Sequence, residues 1–447
     1  MSRPTNTSRS IAIVGGGVAG LGAAWTLSRH HRVTLYDREA RFGGHANTVE
    51  IALDGNRVPV DTGFIVYNEL NYPNLVALFR QLGVETVASE MSFGVSLGDG
   101  RLEYSGGGAN GLFAQRRNSL RPRFWRMLRD IRRFYASADD YLDTIAGSCS
   151  IGELLDREHY SEAFAEDHLV PMAAAIWSAS RDDIRQYPAD AFIRFFNNHG
   201  LLNLGQRPQW HTVKGGSREY VARLLADSEV ELAAATKVAK VTREKDGVHV
   251  TAVDGGVEMY DEVVIATHAD QALRLLDDAD ETERSVLGAF EYSSNRAWLH
   301  EDESFMPVRR AAWSSWNYLQ APGHLSSAPL SVSYWMNRLQ SLPSAHQIFV
   351  TLNPGQAPDE RKVHGCFDYE HPIFTAATSH QQERSALIQG HRRTWFCGSY
   401  FGHGFHEDAL QSGLWVAEQL GARRPWGTDG EFDRLPATYR VEAPRAA

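Results

Sequence analysis

Residues 11–28, IAIVGGGVAGLGAAWTLS, carry no charge and constrain the fold more than any other part of the chain. Their number alone would suit a membrane span, but the glycines indicate a different structure. A short apolar run typical of a buried parallel strand comes first, and an apolar pattern of helical period comes last. Between them, Gly15, Gly17 and Gly20 have the G-x-G-x-x-G spacing of a dinucleotide-binding turn.

Each position in this turn has a physical reason. The first glycine permits a tight turn, the second lets a pyrophosphate approach the backbone, and the third lets the helix pack closely on the strand. The pyrophosphate would bind unpaired N–H groups where the helix begins, near Val18 and Ala19. A second apolar strand ends in Asp37, at the distance where an acid binds ribose hydroxyls. The sequence therefore predicts a dinucleotide site.

A second G-x-G-x-x-G match, formed by Gly106, Gly108 and Gly111, lacks this context. It follows a short charged segment and precedes a basic amphipathic one, so we interpret it as a flexible loop.

Length and composition limit the class of protein. A chain of 447 residues can form two domains, and 43% hydrophobic and 22% charged residues are typical of a globular protein. The net charge of −10 argues against nucleic-acid binding. Cys149, Cys366 and Cys397 are too widely spaced for a metal cluster or a disulfide framework, so we expect no metal and a reducing, cytoplasmic location. The polar start suggests no signal peptide, and no transmembrane helix is expected.

Positive charge is concentrated in one segment. Eight arginines lie between Arg116 and Arg133, with Asp130 the only acid among them, and apolar residues recur there at helical spacing. A basic amphipathic helix of this kind can lie on an anionic membrane surface, with Trp125 and Phe134 inserting at the interface. The alternative is a solvated face whose apolar stripe packs on the protein.

The run after Asp37 extends the dinucleotide site. VTLYDREARFGGHANT resembles the V-x-V-L-E-A-x-x-R-x-G-G-R-x-x-T pattern of flavin amine oxidases and phytoene-type desaturases. This resemblance implies FAD as the cofactor and implies that Arg38, Arg41, Gly43, Gly44 and His45 carry the chain past its pyrophosphate. His45 replaces the usual basic residue.

Further motifs follow in the order of that superfamily. Gly63 and Phe64 belong to a segment similar to the D-x-G loop under the flavin ring, and Val238 occupies the position whose backbone usually meets adenine. Near the C-terminus, Gly398 and Ser399 match the F-A-G-E segment, with serine in place of the acid. The resemblance implies that all of these residues bind FAD.

The last motif resembles the G-aromatic-x-x-x-A-x-x-S-G frame that caps the flavin. It predicts cofactor contacts from Asp408 and Ala409, and its catalytic candidates are Phe405, His406, Glu407 and Asp408. We interpret Asp408 as a helix N-cap with Gln411 three residues on. The alternative is a carboxylate near the flavin, and His406 with Glu407 could handle protons.

A narrower resemblance concerns predicted NAD/FAD-binding proteins associated with cyclopropane-fatty-acid synthases. It includes the segments GGHANT, which begins at Gly43, and ATHAD, which begins at Ala266. It implies a lipid-linked flavoenzyme and a lipid methyltransferase as a partner. An aromatic-rich stretch, Trp313, Trp316, Tyr318, Tyr334 and Trp335 with Phe349, could line an acyl tunnel or fill a sheet core.

The predicted fold class is α/β, with a discontinuous Rossmann-like (glutathione-reductase-type) FAD-binding domain and an inserted α+β substrate domain. The FAD-binding domain would comprise residues 1–95, 206–285 and 389–447, the last including a tail from about Leu435. The substrate domain would comprise a helical part, 96–205, and a strand-rich part, 286–388.

The predicted function is FAD-dependent transfer of hydride from a substrate carbon to flavin. The predicted substrate is a lipid or a methyl-branched phospholipid acyl chain, which would be desaturated. The alternatives are a flavin amine oxidase and a flavin-binding accessory partner of a lipid methyltransferase.

Overall fold

The computed structural model describes residues 8–144, 149–177, 180–198, 202, 208–320, 331–343 and 345–433. The predicted tail from about Leu435 lies outside these residues. The strands are β1 Ser10–Val14, β2 Arg32–Tyr36, β3 Thr48–Leu53, β4 Asn56–Asp61, β5 Tyr67–Asn68, β6 Thr86–Ser89, β7 Phe93–Leu97, β8 Leu102–Ser105, β9 Trp210–Val213, β10 Val230–Ala233, β11 Val238–Arg243, β12 Val248–Ala252, β13 Val257–Tyr260, β14 Glu262–Ile265, β15 Tyr292–His300, β16 Trp316–Gln320, β17 Ser331–Trp335, β18 Phe349–Leu352, β19 Val363–Pro372 and β20 Thr394–Phe396. The helices are α1 Val18–Leu27, α2 Pro73–Leu82, α3 Ala109–Leu112, α4 Pro122–Thr144, α5 Ile151–Arg157, α6 Glu162–Phe164, α7 Val170–Trp177, α8 Arg181–Gln186, α9 Ala189–Asn198, α10 Arg218–Ala226, α11 Ala269–Leu275, α12 Glu281–Leu287, α13 Met336–Leu339, α14 Ala376–Glu383 and α15 His406–Gln419.

A parallel sheet in the order β10-β2-β1-β14-β20 forms the first layer. Its central strand β1 is buried on both faces, which explains why the apolar run preceding the glycines does not alternate with polar residues. Helices α1, α2, α10 and α15 contribute to the core on one face of the sheet. The antiparallel strands β11–β13 and helices α11 and α12 contribute to the core on the other face.

The inserted part is built on a second sheet, in the order β19-β15-β18-β17-β16-β7-β8. Helices from α4 to α9 supply most of a separate core. Strands distant in sequence thus build the first sheet, and the α+β part interrupts them. This confirms the predicted fold class: a discontinuous Rossmann-like FAD-binding domain with an inserted α+β substrate domain.

The predicted domain boundaries stay predictions. Strand β7, Phe93–Leu97, crosses the boundary placed after residue 95 and pairs with β16 in the second sheet.

Helices α1 and α15 approach each other unusually closely. A Cβ added at Gly413 of α15 would overlap the backbone carbonyl of Ala19 in α1, and a Cβ at Gly22 would lie 2.7 Å from Leu410 Cδ1. The helix formed by the glycine-rich stretch therefore packs on a helix formed almost four hundred residues later. Among the helices in the described parts of the chain, none is long and apolar enough to cross a membrane.

Candidate active site

A cavity of about 1430 Å³ lies against the carboxyl end of the parallel sheet and continues into the inserted part. The turn between β1 and α1 forms one wall. Gly15 has φ +113°, and a Cβ there would lie 2.7 Å from the carbonyl oxygen of Ala266, so both backbone and packing require glycine. A Cβ at Gly20 would overlap the carbonyl of Gly15. Gly20 therefore serves helix packing.

Gly17 differs from these two glycines. It is the N-cap of α1, and a Cβ added to it would have no protein atom within 4 Å. Its lack of a side chain therefore keeps open a space inside the cavity, where Val18 and Ala19 also line the wall. An open space in front of the N–H groups of a helix N-terminus suits a phosphate.

The acid after β2 faces the same cavity. Oδ2 of Asp37 accepts a hydrogen bond from the Gly16 N–H at 2.7 Å, and Oδ1 accepts one from the Glu39 N–H at 2.8 Å. Asp37 thus also fixes the shape of the glycine turn. Val238, predicted to lie near adenine, and Arg38, predicted to lie near the pyrophosphate, both line the wall at this end of the cavity.

The segment after Arg38 folds back over the turn. The Gly43 N–H donates to the Gly16 carbonyl at 2.8 Å, and the Arg41 guanidinium donates to the carbonyl oxygens of Gly44 at 2.9 Å and Ala46 at 3.3 Å. Arg41, Gly43 and Gly44 all line the cavity. Arg41 therefore holds its own loop, which is a structural role that the motif did not reveal.

His45 lies deeper in the cavity. Its ring is 5.1 Å from that of Tyr369 and 5.4 Å from that of His371. Burial lowers the pKa of His45 well below its usual value, and the positive charge that His371 could carry acts in the same direction. Its buried Nε2 has no hydrogen-bond partner among the described residues. A neutral imidazole with an unused polar atom can bond a cofactor but supplies no positive charge.

The D-x-G loop passes beside His45. The Phe64 N–H donates to the His45 carbonyl at 2.7 Å, and a Cβ at Gly63 would overlap the same carbonyl. The Phe64 ring stacks on the imidazole of His406, with centroids 3.9 Å apart and planes 8° apart. This loop and the start of α15 therefore form one wall of the cavity.

The C-terminal segment completes that wall. Gly398, Ser399 and Ala409 line the cavity, and the Gly398 N–H donates to Oγ of Ser412 at 2.9 Å. Every residue predicted to bind FAD, except Gly20 and Asp408, lines this single cavity. Their contacts with the cofactor remain predictions.

Among the four catalytic candidates, only Phe405 and His406 face the cavity. Phe405 is the N-cap of α15, and its ring stacks on Phe195 of α9 with centroids 4.7 Å apart. The Tyr220 hydroxyl lies 2.7 Å from Nε2 of His406. Burial lowers the pKa of His406 to about 3, so the ring is neutral at physiological pH.

Asp408 is not the N-cap that we predicted. The N-cap is Phe405, three residues before the predicted one, and helix α15 begins at His406, which places Asp408 in its first turn. Its Oδ2 accepts hydrogen bonds from the N–H groups of His403 at 3.0 Å and Phe405 at 2.9 Å. The interpretation of Asp408 and Gln411 as a capping box was therefore wrong, because Phe405 is the N-cap. The contact of Asp408 with FAD stays a prediction.

Glu407 points away from the cavity and stabilises another helix. Its carboxyl oxygens accept hydrogen bonds from the Asn74 N–H at 2.8 Å, the Asn74 Nδ2 at 2.8 Å and the Leu75 N–H at 3.0 Å. These backbone groups are unpaired N–H groups of the first turn of α2. Burial raises the pKa of Glu407 to about 7, although these hydrogen bonds act in the opposite direction. Glu407 is therefore a structural residue.

The structure also reveals cavity residues that the sequence did not indicate. Three of them are His268, the N-cap of α11, Tyr292 in β15 and His371 in β19. His268 stacks on Tyr292 with centroids 4.4 Å apart, and its Nδ1 lies 3.2 Å from Glu370. Burial lowers the pKa of His371 to about 4. The cluster joins a helix N-cap to residues of two strands, so no sequence spacing could have predicted it.

The far end of the cavity enters the inserted part, between the second sheet and helices α4, α7 and α9. Its apolar lining residues are Leu112, Leu128, Ile131, Met172, Ile176 and Phe195, and its polar ones include Tyr104, Tyr135 and His168. Of the aromatic residues predicted for an acyl tunnel, Trp316 and Tyr334 line the cavity, whereas Trp313, Trp335 and Phe349 pack together elsewhere.

The arginine-rich segment forms a short 3₁₀ helix, Arg116–Leu120, and then α4. Phe134 is fully buried in the core, so it cannot insert at a membrane interface as predicted. Trp125 is 51% exposed and Leu120 85% exposed. Arg123 forms an ion pair with Asp167, and Arg129 and Arg133 lie near Asp130, whereas Arg116, Arg126 and Arg132 have no ion pair within the described residues.

Comparison with known proteins identifies the family. The family of flavin-containing amine oxidoreductases matches residues 18–421. The carotenoid phi-ring synthase of Streptomyces griseus is 40% identical over 83 residues, which cover 18% of this chain and only 16% of that protein.

Two solved structures share the fold. Cyclohexylamine oxidase from Brevibacterium oxydans IH-35A has a TM-score of 0.67 and 14% identity, with 92% of this chain and 98% of that chain covered. A CLA-producing fatty acid isomerase from P. acnes has a TM-score of 0.64 and 17% identity, with 93% and 98% covered.

The described residues fit the cofactor of this family. The space in front of Gly17 suits a pyrophosphate, the carboxylate of Asp37 lines the same wall, and the buried Nε2 of His45 offers an unused polar atom. The chain is therefore an FAD-dependent oxidoreductase and belongs to the family of flavin-containing amine oxidoreductases.

Proposed function

We propose that the protein oxidises a lipid or the acyl chain of a phospholipid, with a methyl-branched chain as the preferred substrate. FAD, when bound, accepts the hydride that leaves the substrate carbon. The observation that carries the proposal is the continuity of the cavity. One space joins the residues predicted to bind FAD to an apolar region large enough for a chain.

The charges along the cavity support an uncharged or anionic substrate. Its described carboxylates are Asp37, Glu39 and Glu370; the first two follow β2, and Glu370 pairs with His268. The apolar end has leucine, isoleucine and methionine side chains, and Arg132 is the charged residue there. A protonated amine would therefore lose its hydration at this end without gaining a carboxylate partner.

The amine oxidase alternative rests on the family itself and on Phe405, which occupies the aromatic position of the C-terminal frame. One face of that ring is already covered by Phe195. The names of two similar proteins, a fatty acid isomerase and a carotenoid ring synthase, concern apolar chains and are compatible with a lipid substrate.

Anaerobic reduction of the purified, FAD-loaded protein tests the proposal. Phospholipids with methyl-branched and with straight acyl chains are compared with cyclohexylamine and putrescine, and the loss of oxidised-flavin absorbance is followed. We expect reduction by the branched lipid and none by the amines. Reduction by an amine alone would establish an amine oxidase. A flavin that no lipid or amine reduces would favour an accessory partner of a lipid methyltransferase.

We also propose that α4 brings the cavity to an anionic membrane surface at the inner face of the membrane. Leu128, Ile131, Arg132 and Tyr135 of this helix line the cavity, and Trp125, nearer its N-terminus, is 51% exposed. One helix therefore presents side chains both to the substrate space and to the outside. Each basic residue near such a surface contributes about 1 kcal/mol, and salt weakens the attraction.

Co-sedimentation with anionic liposomes measures this contact. Replacing Arg116, Arg117 and Arg126, which are exposed and do not line the cavity, together by glutamine should lower the partition coefficient roughly a hundredfold, because about 3 kcal/mol is lost. A control with Arg57, Arg80 and Arg361 replaced by glutamine changes the net charge equally at exposed positions elsewhere. If both variants bind alike, the arginine-rich face does not contact the membrane.

A further inference from the structure

Four arginine side chains converge on the surface where the turn between β7 and β8 meets the short 3₁₀ helix before α4. They are Arg101, Arg117, Arg121 and Arg309. The backbone carbonyl of Arg101 accepts hydrogen bonds from the guanidinium of Arg117 at 3.2 Å and from that of Arg121 at 2.9 Å. The Arg309 guanidinium donates to the carbonyl of the preceding residue, Gly100, at 3.2 Å. Two adjacent carbonyl groups of one turn therefore hold three guanidinium groups together.

The positive charges in this cluster are mostly unbalanced. Among the described residues, Arg309 is the member that has a carboxylate partner, since the buried Glu103 accepts from its guanidinium at 2.7 Å. Asp99 lies in the same turn as Arg101 but forms no ion pair with the cluster within the described chain. Burial lowers the pKa of Arg121, and the positive charges of the other three arginines act in the same direction. Three guanidinium groups therefore lie close together without a counter-charge.

Electrostatics favours an anion at this position. Guanidinium groups repel one another, and the repulsion is stronger where a side chain such as Arg121 is partly withdrawn from water. The Arg101 guanidinium makes no hydrogen bond with any residue that the structure describes, so its donors remain available. The planar fork of arginine donors matches the oxygens of a phosphate and binds them in a bidentate manner. A phosphate would therefore both neutralise and bridge the cluster.

Exposed aliphatic side chains flank the arginines. Leu120, directly before Arg121, is 85% exposed, and Val308, directly before Arg309, is 72% exposed. Basic groups beside exposed apolar side chains suit an anion that carries hydrocarbon, as a lipid phosphate does.

We propose that Arg101, Arg117 and Arg121 form a binding site for a phosphate group, and that this phosphate belongs to a phospholipid headgroup. None of these three arginines lines the cavity, so the headgroup would be held outside the space where the reaction occurs. The phosphate site itself does not depend on the proposed reaction. Its lipid source rests on the proposed lipid function.

Isothermal titration calorimetry on the FAD-loaded protein tests the site, because bound FAD already fills the predicted pyrophosphate position. The two probes are inorganic phosphate and monomeric dihexanoylphosphatidic acid, each titrated at an ionic strength held constant with sodium chloride. We expect both probes to bind. The lipid should bind roughly tenfold more tightly, which is the effect of burying about two methylene groups against Leu120 and Val308.

Three variants separate the arginine site from general positive charge. Arg101→Gln should weaken the binding of both probes roughly tenfold to a hundredfold through the loss of a charge-assisted hydrogen bond, with Tm and FAD content unchanged. Arg116→Gln is the matched control, because Arg116 is an exposed neighbour in the same 3₁₀ helix but does not belong to the cluster; it should leave both affinities unchanged. Leu120→Ser should weaken the binding of the lipid alone.

Two results would overturn the site: no binding of either probe by the wild type, and equal losses of affinity in Arg101→Gln and Arg116→Gln. Equal affinities of the wild type for the two probes would refute the lipid source and identify a site for free phosphate. Neither measurement involves flavin reduction or a membrane surface. A protein that binds phosphatidic acid at Arg101 but is reduced by no lipid would therefore refute only the proposed reaction.

Discussion

Gly17→Ala should weaken FAD binding without harming the protein that lacks FAD. The added methyl group has no protein atom within 4 Å, and the backbone there is extended with φ −72°. The added methyl group would occupy the space through which the FAD pyrophosphate must approach the backbone. Overpacking by one methyl group costs about 1–3 kcal/mol, which corresponds to roughly 5- to 150-fold weaker binding.

The lost binding free energy can be measured as a smaller rise in Tm when FAD binds. Unfolding entropy is about 2.1 cal/mol/K per residue, so a chain of 447 residues changes its stability by about 0.9 kcal/mol per kelvin near Tm. A ligand stabilises the folded state in proportion to the logarithm of its affinity. The rise in Tm caused by saturating FAD should therefore be about 1–3 °C smaller in Gly17→Ala than in the wild type, whereas the Tm without FAD should be equal.

Two other glycines provide the controls for differential scanning fluorimetry with and without FAD. Gly20→Ala places a Cβ against the carbonyl of Gly15 and should lower Tm even without FAD. Gly355→Ala meets open space outside the cavity and should change neither value. If Gly17→Ala keeps the full rise with FAD, the pyrophosphate does not pass this residue and the assignment of the turn is wrong.

Substitutions of two acidic residues, Asp37 and Glu407, give further predictions. Asp37→Ala should raise the Kd of FAD roughly tenfold to a hundredfold, because one charge-assisted hydrogen bond of about 1.5–3 kcal/mol is lost; an unchanged Kd in a flavin-fluorescence titration would place the ribose elsewhere. For Glu407, a pKa raised to about 7 means that the folded protein keeps a proton that the unfolded chain has lost between about pH 4.5 and 7. Its contribution to stability is therefore present at low pH and lost as the pH rises through this window. The stability of the wild type relative to Glu407→Gln should fall by roughly 3 kcal/mol from pH 5 to pH 8, with flavin reduction unaffected; a constant difference would show that Glu407 is ionised throughout.

Local sequence predicted the parts of the site that depend on backbone geometry. The strand, turn and helix around Gly15 follow from short-range patterns, and the structure has them where the sequence placed them. Such patterns depend on the steric requirements of neighbouring residues. They can therefore be recognised in the sequence without knowledge of the tertiary fold.

The orientation of side chains around α15 was not predictable in the same way. His406 and Glu407 are adjacent in sequence, yet one faces the cavity and the other bonds the first turn of α2. The side of the helix on which a residue lies depends on where the helix begins, and an error of three residues in that position rotates the pattern by about 300°. Arg309 joins the arginine cluster of the β7–β8 turn from almost two hundred residues away in sequence, so no spacing could reveal that cluster.

The close packing of α1 on α15 has a consequence for synthesis on the ribosome. The helix that covers the glycine face of the fingerprint helix, and the edge strand Thr394–Phe396 beside β14, are synthesised more than 360 residues after the fingerprint helix. During translation, at about 5–20 residues per second, the nascent first sheet must wait tens of seconds with that apolar surface uncovered. FAD capture should therefore follow the synthesis of α15, and a nascent chain that stalls before α15 should expose this surface to chaperones.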